Sequence, residues 1–322
     1  MALDQQSCRL LIFENFFMKL VITSPSFCKH PVLISEIKKL FPGVKLNSEG
    51  LKLAGQDLID FLKDAEAWLV GTEKVDKKIL EACPKIKLIS KYGVGLDNID
   101  FEACESHGVT VKYVQGVNAQ SVAELALGNI LALTHNSYIT ANLLKQGIWH
   151  KHGGIELYGK TVGIIGVGNI GKKLINLLKP FDCKILVNDI LDKTQEQKEF
   201  YKKIGVESCD LKSLLIHSDI VSLHVSLTKQ TQNLISQKEL SWMKKTSFLI
   251  NTSRGPVVNQ EDLKQALKIN LIAGAAVDVY EQEPCEDLEF LALPNLIATP
   301  HIGGNAIEAV EAMGRGAIEG LK

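Results

Sequence analysis

The sequence predicts a two-domain α/β protein built on parallel sheets, and three observations predict it. Short apolar runs alternate with amphipathic stretches of helical period along most of the chain, the pattern of strand–helix–strand units. Two such series occur, one ending near residue 116 and one starting after Gly159, with a long apolar-periodic stretch between them. The length of 322 residues also exceeds the ~100–200 of a usual single domain.

Taken in order, residues 1–17 match nothing that follows and are read as an N-terminal extension outside the fold. Their apolar patch, Leu10 to Phe13, is broken by Glu14 and Asn15 and precedes no small-residue cleavage site, so it is not a secretory signal. The runs 19-KLVIT, 67-AWLVG, 87-KLIS and 110-TVKYV read as strands, and Gln120 to Leu144 as one helix of unusual length connecting the domains. The second series contributes 161-TVGIIG, 184-KILVND, 220-IVSLHV, 247-SFLINT, 272-IAGAAVDV and 296-LIAT, six strands of a doubly wound sheet. Asn305 to Lys322 is helical in pattern, too short for a domain, and is expected to cross back onto the first. The domains are therefore residues 18–116 plus 305–322, and residues 117–304.

Composition narrows the function classes. Lys and Arg number 36 against 37 Asp and Glu, without a basic stripe interleaved with aromatics, so no nucleic-acid footprint is present and small-molecule partners are expected. No run reaches the ~18 apolar residues of a membrane span. The seven cysteines are odd in number and never spaced C-x-x-C, which points away from disulfides and metal and towards a reducing cytoplasm.

The segment 166-GVGNIG follows the strand 161-TVGII and opens the helical run 172-KKLINLLK. In that context Gly166 permits the tight turn, Gly168 lets backbone approach a pyrophosphate, and Gly171 allows close helix–strand packing, while the helix N-terminus offers unpaired N–H groups. A Gly-rich turn alone is weak evidence. Here Asp189 ends the next strand, 18 positions after Gly171, near the ~20 of a ribose-binding carboxylate. With Ile190 and no Arg following it, Asp189 favours NAD over NADP. The second domain is thus a Rossmann-like NAD-binding domain.

Three further segments sit at strand ends: 251-NTSRG, 278-DVYEQEP and 299-TPHIGG. Ligands of open α/β sheets bind outside the carboxyl ends of strands, so Arg254, Glu283 and His301 can converge on one crevice. Their types suit hydride chemistry on a 2-hydroxy acid: a guanidinium holds a carboxylate by two hydrogen bonds, an imidazole shuttles the hydroxyl proton, and a carboxylate behind it steadies the imidazolium. Singly, each would be an ordinary loop residue.

The order and length of seven motifs, 118-NAQSVAELALGNIL, 147-GIW, 157-LYGKTVGIIGVGNIG, 224-HVSLT, 251-NTSRGPVVN, 274-GAAVDVYEQEP and 299-TPHIGG, resemble the D-isomer-specific 2-hydroxyacid dehydrogenase family, in particular its phosphoglycerate dehydrogenase-like branch, from about Lys19 to the end. The resemblance implies a Rossmann-like NAD domain inserted in a discontinuous, flavodoxin-like substrate domain, with the active site in the cleft between. It implies that Arg254 binds the substrate carboxylate and 2-oxo oxygen, that His301 is the acid/base and that Glu283 is its charged partner. Backbone groups of Tyr92, Gly93, Val94 and Gly95 would hold the substrate carboxylate. Asn169 and Ile170 would meet the pyrophosphate, Thr252 and Ser253 would lie on the nicotinamide side, and Asp278 and Gly303 would complete the cofactor contacts.

The substrate implied is D-3-phosphoglycerate, the role being in serine biosynthesis, with glyoxylate or hydroxypyruvate reduction as the alternative and an NAD-sensing corepressor-like binding protein as the rival from another class. Formate oxidation is disfavoured because that chemistry pairs the His with Gln. A homodimer through residues 118–150 is implied. The departures are Ser226 in place of Pro, Lys151 where Arg is common, and 69-LVGTEKV, which carries no Arg where phosphoglycerate enzymes often place one; Lys74 stands nearby. The chain stops at Lys322 without an appended ligand-sensing module, so serine feedback is not expected.

Overall fold

A computed structural model describes residues 18–189 and 195–322, the side chains of 195–198 excepted. The proposed N-terminal extension and Ile190 lie outside the described residues. The chain forms two compact units, one holding the residues up to Asn118 with Ile307–Lys322 and the other Ala119–Ala306.

The first unit is a parallel sheet of five strands, β1 (Leu20–Ile22), β2 (Lys45–Leu46), β3 (Ala67–Val70), β4 (Leu88–Lys91) and β5 (Thr110–Lys112), in the order β2-β1-β3-β4-β5. This is the flavodoxin-like order. Helices cover both faces, so the central strands β1 and β3 are apolar throughout instead of alternating with polar residues. Ala67 and Leu69 enter one core with Leu20, Ile22, Leu33 and Ile37, while Trp68 and Val70 enter the other with Val21, Leu58 and Ile89. The helix Ile307–Glu319 closes this unit: Ala317, Ile318 and Leu321 join the first of those cores, and Ser90 Oγ donates to Ala317 O at 2.6 Å.

The second unit is a parallel sheet of seven strands: β6 (Thr161–Ile165), β7 (Lys184–Asn188), β8 (Glu207–Ser208), β9 (Ile220–Leu223), β10 (Phe248–Asn251), β11 (Gly274–Val277) and β12 (Leu296–Ala298). Its order, β12-β11-β10-β9-β6-β7-β8, reverses direction between β6 and β9, the switch point at which such sheets open a crevice. Alternate residues again feed two cores, Val221, Leu249 and Ala275 on one side and Ile220, Ile250 and Ala276 on the other. The register sets Ile165 beside Leu223 and Leu223 beside Asn251, so the residues that follow these three strands emerge in a row.

Two expectations are corrected. The stretch 120–144 is two helices, Ala119–Thr134 and Ser137–Lys145, because Asn136 takes a left-handed conformation (φ 55°) and donates from Nδ2 to His152 O. Asn tolerates that conformation better than most residues. The second sheet has seven strands, not six. The extra one, β8, like β2 in the first unit, is a two-residue edge strand with no apolar run to announce it.

Candidate active site

The loop after β6 turns at Gly166, whose φ of 92° suits only glycine, and a Cβ there would lie 2.5 Å from His224 O. Gly171, one turn into the helix Asn169–Leu178, passes so close that a Cβ would sit 2.2 Å from Gly166 O. The helix is capped by Gly168, which has no side chain to take up its first N–H groups, and the space over Gly168 is open. Asp189, at the end of β7, accepts a hydrogen bond from Val167 N at 2.7 Å with Oδ2, and so joins the Gly-rich loop to the neighbouring strand end. Gly166, Gly168, Asn169, Ile170, Gly171 and Asp189 therefore belong to one loop and helix start with the strand end tied to it, at the switch point.

Beside it, the segment after β10 is fixed by Asn251, which is buried. Its Oδ1 accepts from the Ser253 N–H and Oγ–H at 3.1 and 2.8 Å, and its Nδ2 donates to Arg254 O at 3.0 Å. The partly buried Arg254 side chain donates from Nη1 to Ser253 O at 2.8 Å. Thr252 is buried, and its Oγ1 has no hydrogen-bond partner among the described residues.

After β11, Glu283 folds back so that Oε1 accepts from Tyr280 N at 3.2 Å and Oε2 meets His301 Nδ1 at 2.8 Å. Burial pushes the Glu283 carboxyl up, but the bond to His301, its charge, the Tyr280 N–H and Arg254 together hold it below the usual carboxylate range. His301 moves the other way: the Glu283 hydrogen bond, opposed by burial and by Arg254 and helped by the charges of Glu283 and Asp278, raises it above the ordinary 6.5. The pair favours imidazolium next to carboxylate, with Nδ1–H committed to Glu283 and Nε2 left to exchange a proton. His224 is a poor rival: burial pushes its imidazole down to about 4, so it is neutral at neutral pH.

Asp278 is fully buried and spends its carboxylate on the His301 loop, accepting from Thr299 Oγ1 at 2.6 Å, Ile302 N at 2.8 Å and Gly303 N at 2.8 Å. Arg254, Glu283, His301, Asp278, Thr252, Ser253 and Gly303 thus gather on the loops that follow three adjacent strands, β10, β11 and β12. Among the described residues no group of three or more His, Cys, Asp or Glu could hold a metal ion.

In the first unit, Tyr92 is buried, packed edge-on to Phe27 with ring centres 5.7 Å apart. Gly93, Val94 and Gly95 follow it half-buried, and their N–H groups meet no acceptor among the described residues.

Residues 127–303, just over half of the chain, match the family described as D-isomer specific 2-hydroxyacid dehydrogenase, NAD binding domain. The chain belongs to the D-isomer specific 2-hydroxyacid dehydrogenase family. This dehydrogenase is 39% identical over 290 residues to a glyoxylate reductase of Thermofilum pendens, covering 87% of this chain and 84% of that one. It is 35% identical over 310 residues to a D-3-phosphoglycerate dehydrogenase of Methanocaldococcus jannaschii, covering 95% of this chain but 57% of that one. The solved D-lactate dehydrogenase of Aquifex aeolicus, complexed with NAD and lactic acid, superposes with a TM-score of 0.79 at 29% identity over 93% of each chain.

The dehydrogenase is an NAD-dependent oxidoreductase, and its residues fit the cofactor. The uncapped helix N-terminus at Gly168 suits a pyrophosphate, Asp189 suits ribose hydroxyls, and the unpartnered Thr252 hydroxyl lies in the same row of strand ends. Sequence reading passed over Asn251, which orders the Arg254 loop, and over Thr299. Both stand inside quoted motifs, but nothing in the residue pattern marks a side chain as a brace for its neighbours.

Proposed function

We propose that this dehydrogenase reduces a small unphosphorylated 2-oxo acid, glyoxylate or hydroxypyruvate, to the corresponding 2-hydroxy acid. The observation that carries this reading is the polar cluster behind the loop after β3. Lys91 is buried and donates from Nζ to Gly71 O and to Asn98 Oδ1, while the buried Glu73 accepts from Gly71 N at 2.7 Å. Asn98 Nδ2 donates to Glu73 O at 2.5 Å. The cationic side chain is thus held against the loop after β3, next to a carboxylate that would repel a phosphate. Lys74 is largely exposed and lies 3.1 Å from Asp76. The identity to a glyoxylate reductase supports the same choice. D-3-phosphoglycerate is the second reading, favoured by the relative from Methanocaldococcus.

In the reduction, the carboxylate of the substrate is held by Arg254, and the same guanidinium stabilises charge that develops on the C2 oxygen. His301, protonated because Glu283 favours imidazolium, donates its Nε2 proton to that oxygen. NADH, when bound, supplies the hydride that C2 receives. Asp189 favours NAD(H) over NADP(H), because a 2′-phosphate would meet its carboxylate.

We further propose a homodimer. Leu144, Ile148, Trp149 and Tyr158 are all at least 48% exposed, and the helix Ser137–Lys145 buries none of its residues, a patch that a second copy would cover. No described helix is long and apolar enough to cross a membrane. Cys28, Cys83, Cys104, Cys183 and Cys285 are free thiols, which suits a reducing cytoplasm.

The test compares kcat/KM for glyoxylate, hydroxypyruvate and phosphohydroxypyruvate with NADH. The proposal expects the unphosphorylated acids to be preferred; a preference for phosphohydroxypyruvate would replace it with the second reading.

A further inference from the structure

The loop that carries His301 is gripped by the helix Ala119–Thr134 as well as by Asp278. Ser121, in the first turn of that helix, donates from Oγ to Gly303 O at 2.6 Å across 182 residues of sequence. We propose that Ser121 is a positioning residue for His301, fixing through the Gly303 carbonyl the loop conformation in which the imidazole meets Glu283. The inference rests on the assignment of His301 as the acid/base.

His301 is a non-glycine residue at φ 55°, a conformation that persists only where the surroundings impose it. Its imidazole is about half exposed, so packing of the ring does not impose it. The flanking backbone does. Asp278 takes the N–H groups of Ile302 and Gly303, and Ser121 takes the Gly303 carbonyl, so residue 303 is held at both its donor and its acceptor. A Cβ on Gly303 would lie 3.0 Å from Asp278 Oδ2 and 3.5 Å from side-chain carbons of Val122 and Leu125, so the loop has little room to slide between the carboxylate and the helix. A serine in a first helical turn ordinarily bonds to local backbone; this one reaches a distant loop instead. Without its hydroxyl, the carbonyl of buried Gly303 loses its partner, and the loop can regain one only by moving.

The charged groups that bear on His301 are Glu283, Asp278 and Arg254, and all remain when Ser121 is changed. A shift in the titration of His301 therefore reports geometry and not a lost charge. The experiment follows the His301 imidazole by NMR against pH in the wild type, Ser121→Ala and Ser121→Thr, with His301→Ala to assign the signal, and measures kcat on the best 2-oxo acid. In the wild type His301 should titrate above its ordinary value; in Ser121→Ala it should fall back towards it, and Ser121→Thr should restore it. Since a misplacement of ~1 Å costs about a hundredfold, kcat of Ser121→Ala should drop by about ten- to a hundredfold. Wild-type titration and kcat in Ser121→Ala overturn the proposal, as does a loss that Ser121→Thr fails to restore. If Ser121→Ala does not fold, Ser121→Cys, a weak donor, takes its place on the same readouts. The titration needs no substrate, so a wild type that reduces no 2-oxo acid sinks the proposed function and leaves this test standing.

Discussion

Replacing Glu283 by Gln removes one charge from the dyad while keeping its shape. The amide cannot serve both contacts of the native carboxylate, which accepts from Tyr280 N and from His301 Nδ1. If its oxygen stays on His301, its NH2 faces the Tyr280 N–H, donor against donor. If it turns over, the NH2 faces Nδ1, and the neutral imidazole must carry its proton on Nε2, the nitrogen that has to act as base in the oxidative direction. In the first case the imidazolium exchanges a bond to a carboxylate, worth about 1.5–3 kcal/mol, for one to a neutral amide, worth about 0.5–1.5; in the second its Nδ1–H faces the NH2 and the bond is lost altogether. The difference in the first case, about 1–2 kcal/mol, corresponds to roughly 5–30-fold in rate, towards the lower end because both side chains are partly solvated. The sign of the pH effect follows from the raised His301 and the lowered Glu283. Without the carboxylate, His301 loses its proton at lower pH. The acid limb of 2-hydroxy acid oxidation, which needs neutral His301, moves to lower pH, and reduction, which needs the imidazolium, fails earlier as pH rises. Steady-state kcat/KM profiles in both directions measure this. A profile that stays in place, in a folded variant that still binds NADH, would refute the dyad.

Three other changes probe the cofactor side and the surface. Asp189→Ala should cut the NADH over NADPH ratio of kcat/KM by about ten- to a hundredfold, the worth of hydrogen bonds to a charged group; an unchanged ratio would remove Asp189 from ribose recognition. In Gly171→Ala the new Cβ must push away Gly166 O, so NADH binding followed by fluorescence should weaken strongly, and urea unfolding should register a loss of about 1–3 kcal/mol. Trp149→Glu, at a side chain 78% exposed, should leave the fold intact and shift the mass in solution from dimer towards monomer. A protein whose mass does not change, or a wild type that is already monomeric, would rule out that surface as the interface.

Much of the fold is legible in the sequence because buried parallel strands are nearly uninterrupted apolar runs, and β3, β4, β6, β9 and β10 are each bounded by turn or helix signals. The edge strands β2 and β8 are two residues long and at most half-buried, so no period exists to detect. The break at Asn136 was hidden because the residues on either side of it keep a helical apolar spacing, and what stops the helix is a bond to His152, 16 positions away. The site follows the same division. Gly166, Gly171, Asp189, Arg254, Glu283 and His301 are readable because their chemistry requires those residue types next to strand ends. Ser121, Asn251 and the cluster of Lys91, Glu73 and Asn98 are small or charged residues of ordinary appearance. Their roles arise from contacts made only after folding.

In the proposed reaction Arg254, His301 and Glu283 act together on a small 2-oxo acid, NADH supplying the hydride and His301 the proton. The most direct test is a single-turnover reaction of NADH-loaded protein with hydroxypyruvate, in the wild type and in His301→Ala, following NADH absorbance and the product formed. The account predicts one D-glycerate for each NADH consumed, and a loss of about 10²–10⁴-fold in the rate when His301 is removed. A wild type that leaves NADH unconsumed with every 2-oxo acid, or a His301→Ala protein as fast as the wild type, would contradict it.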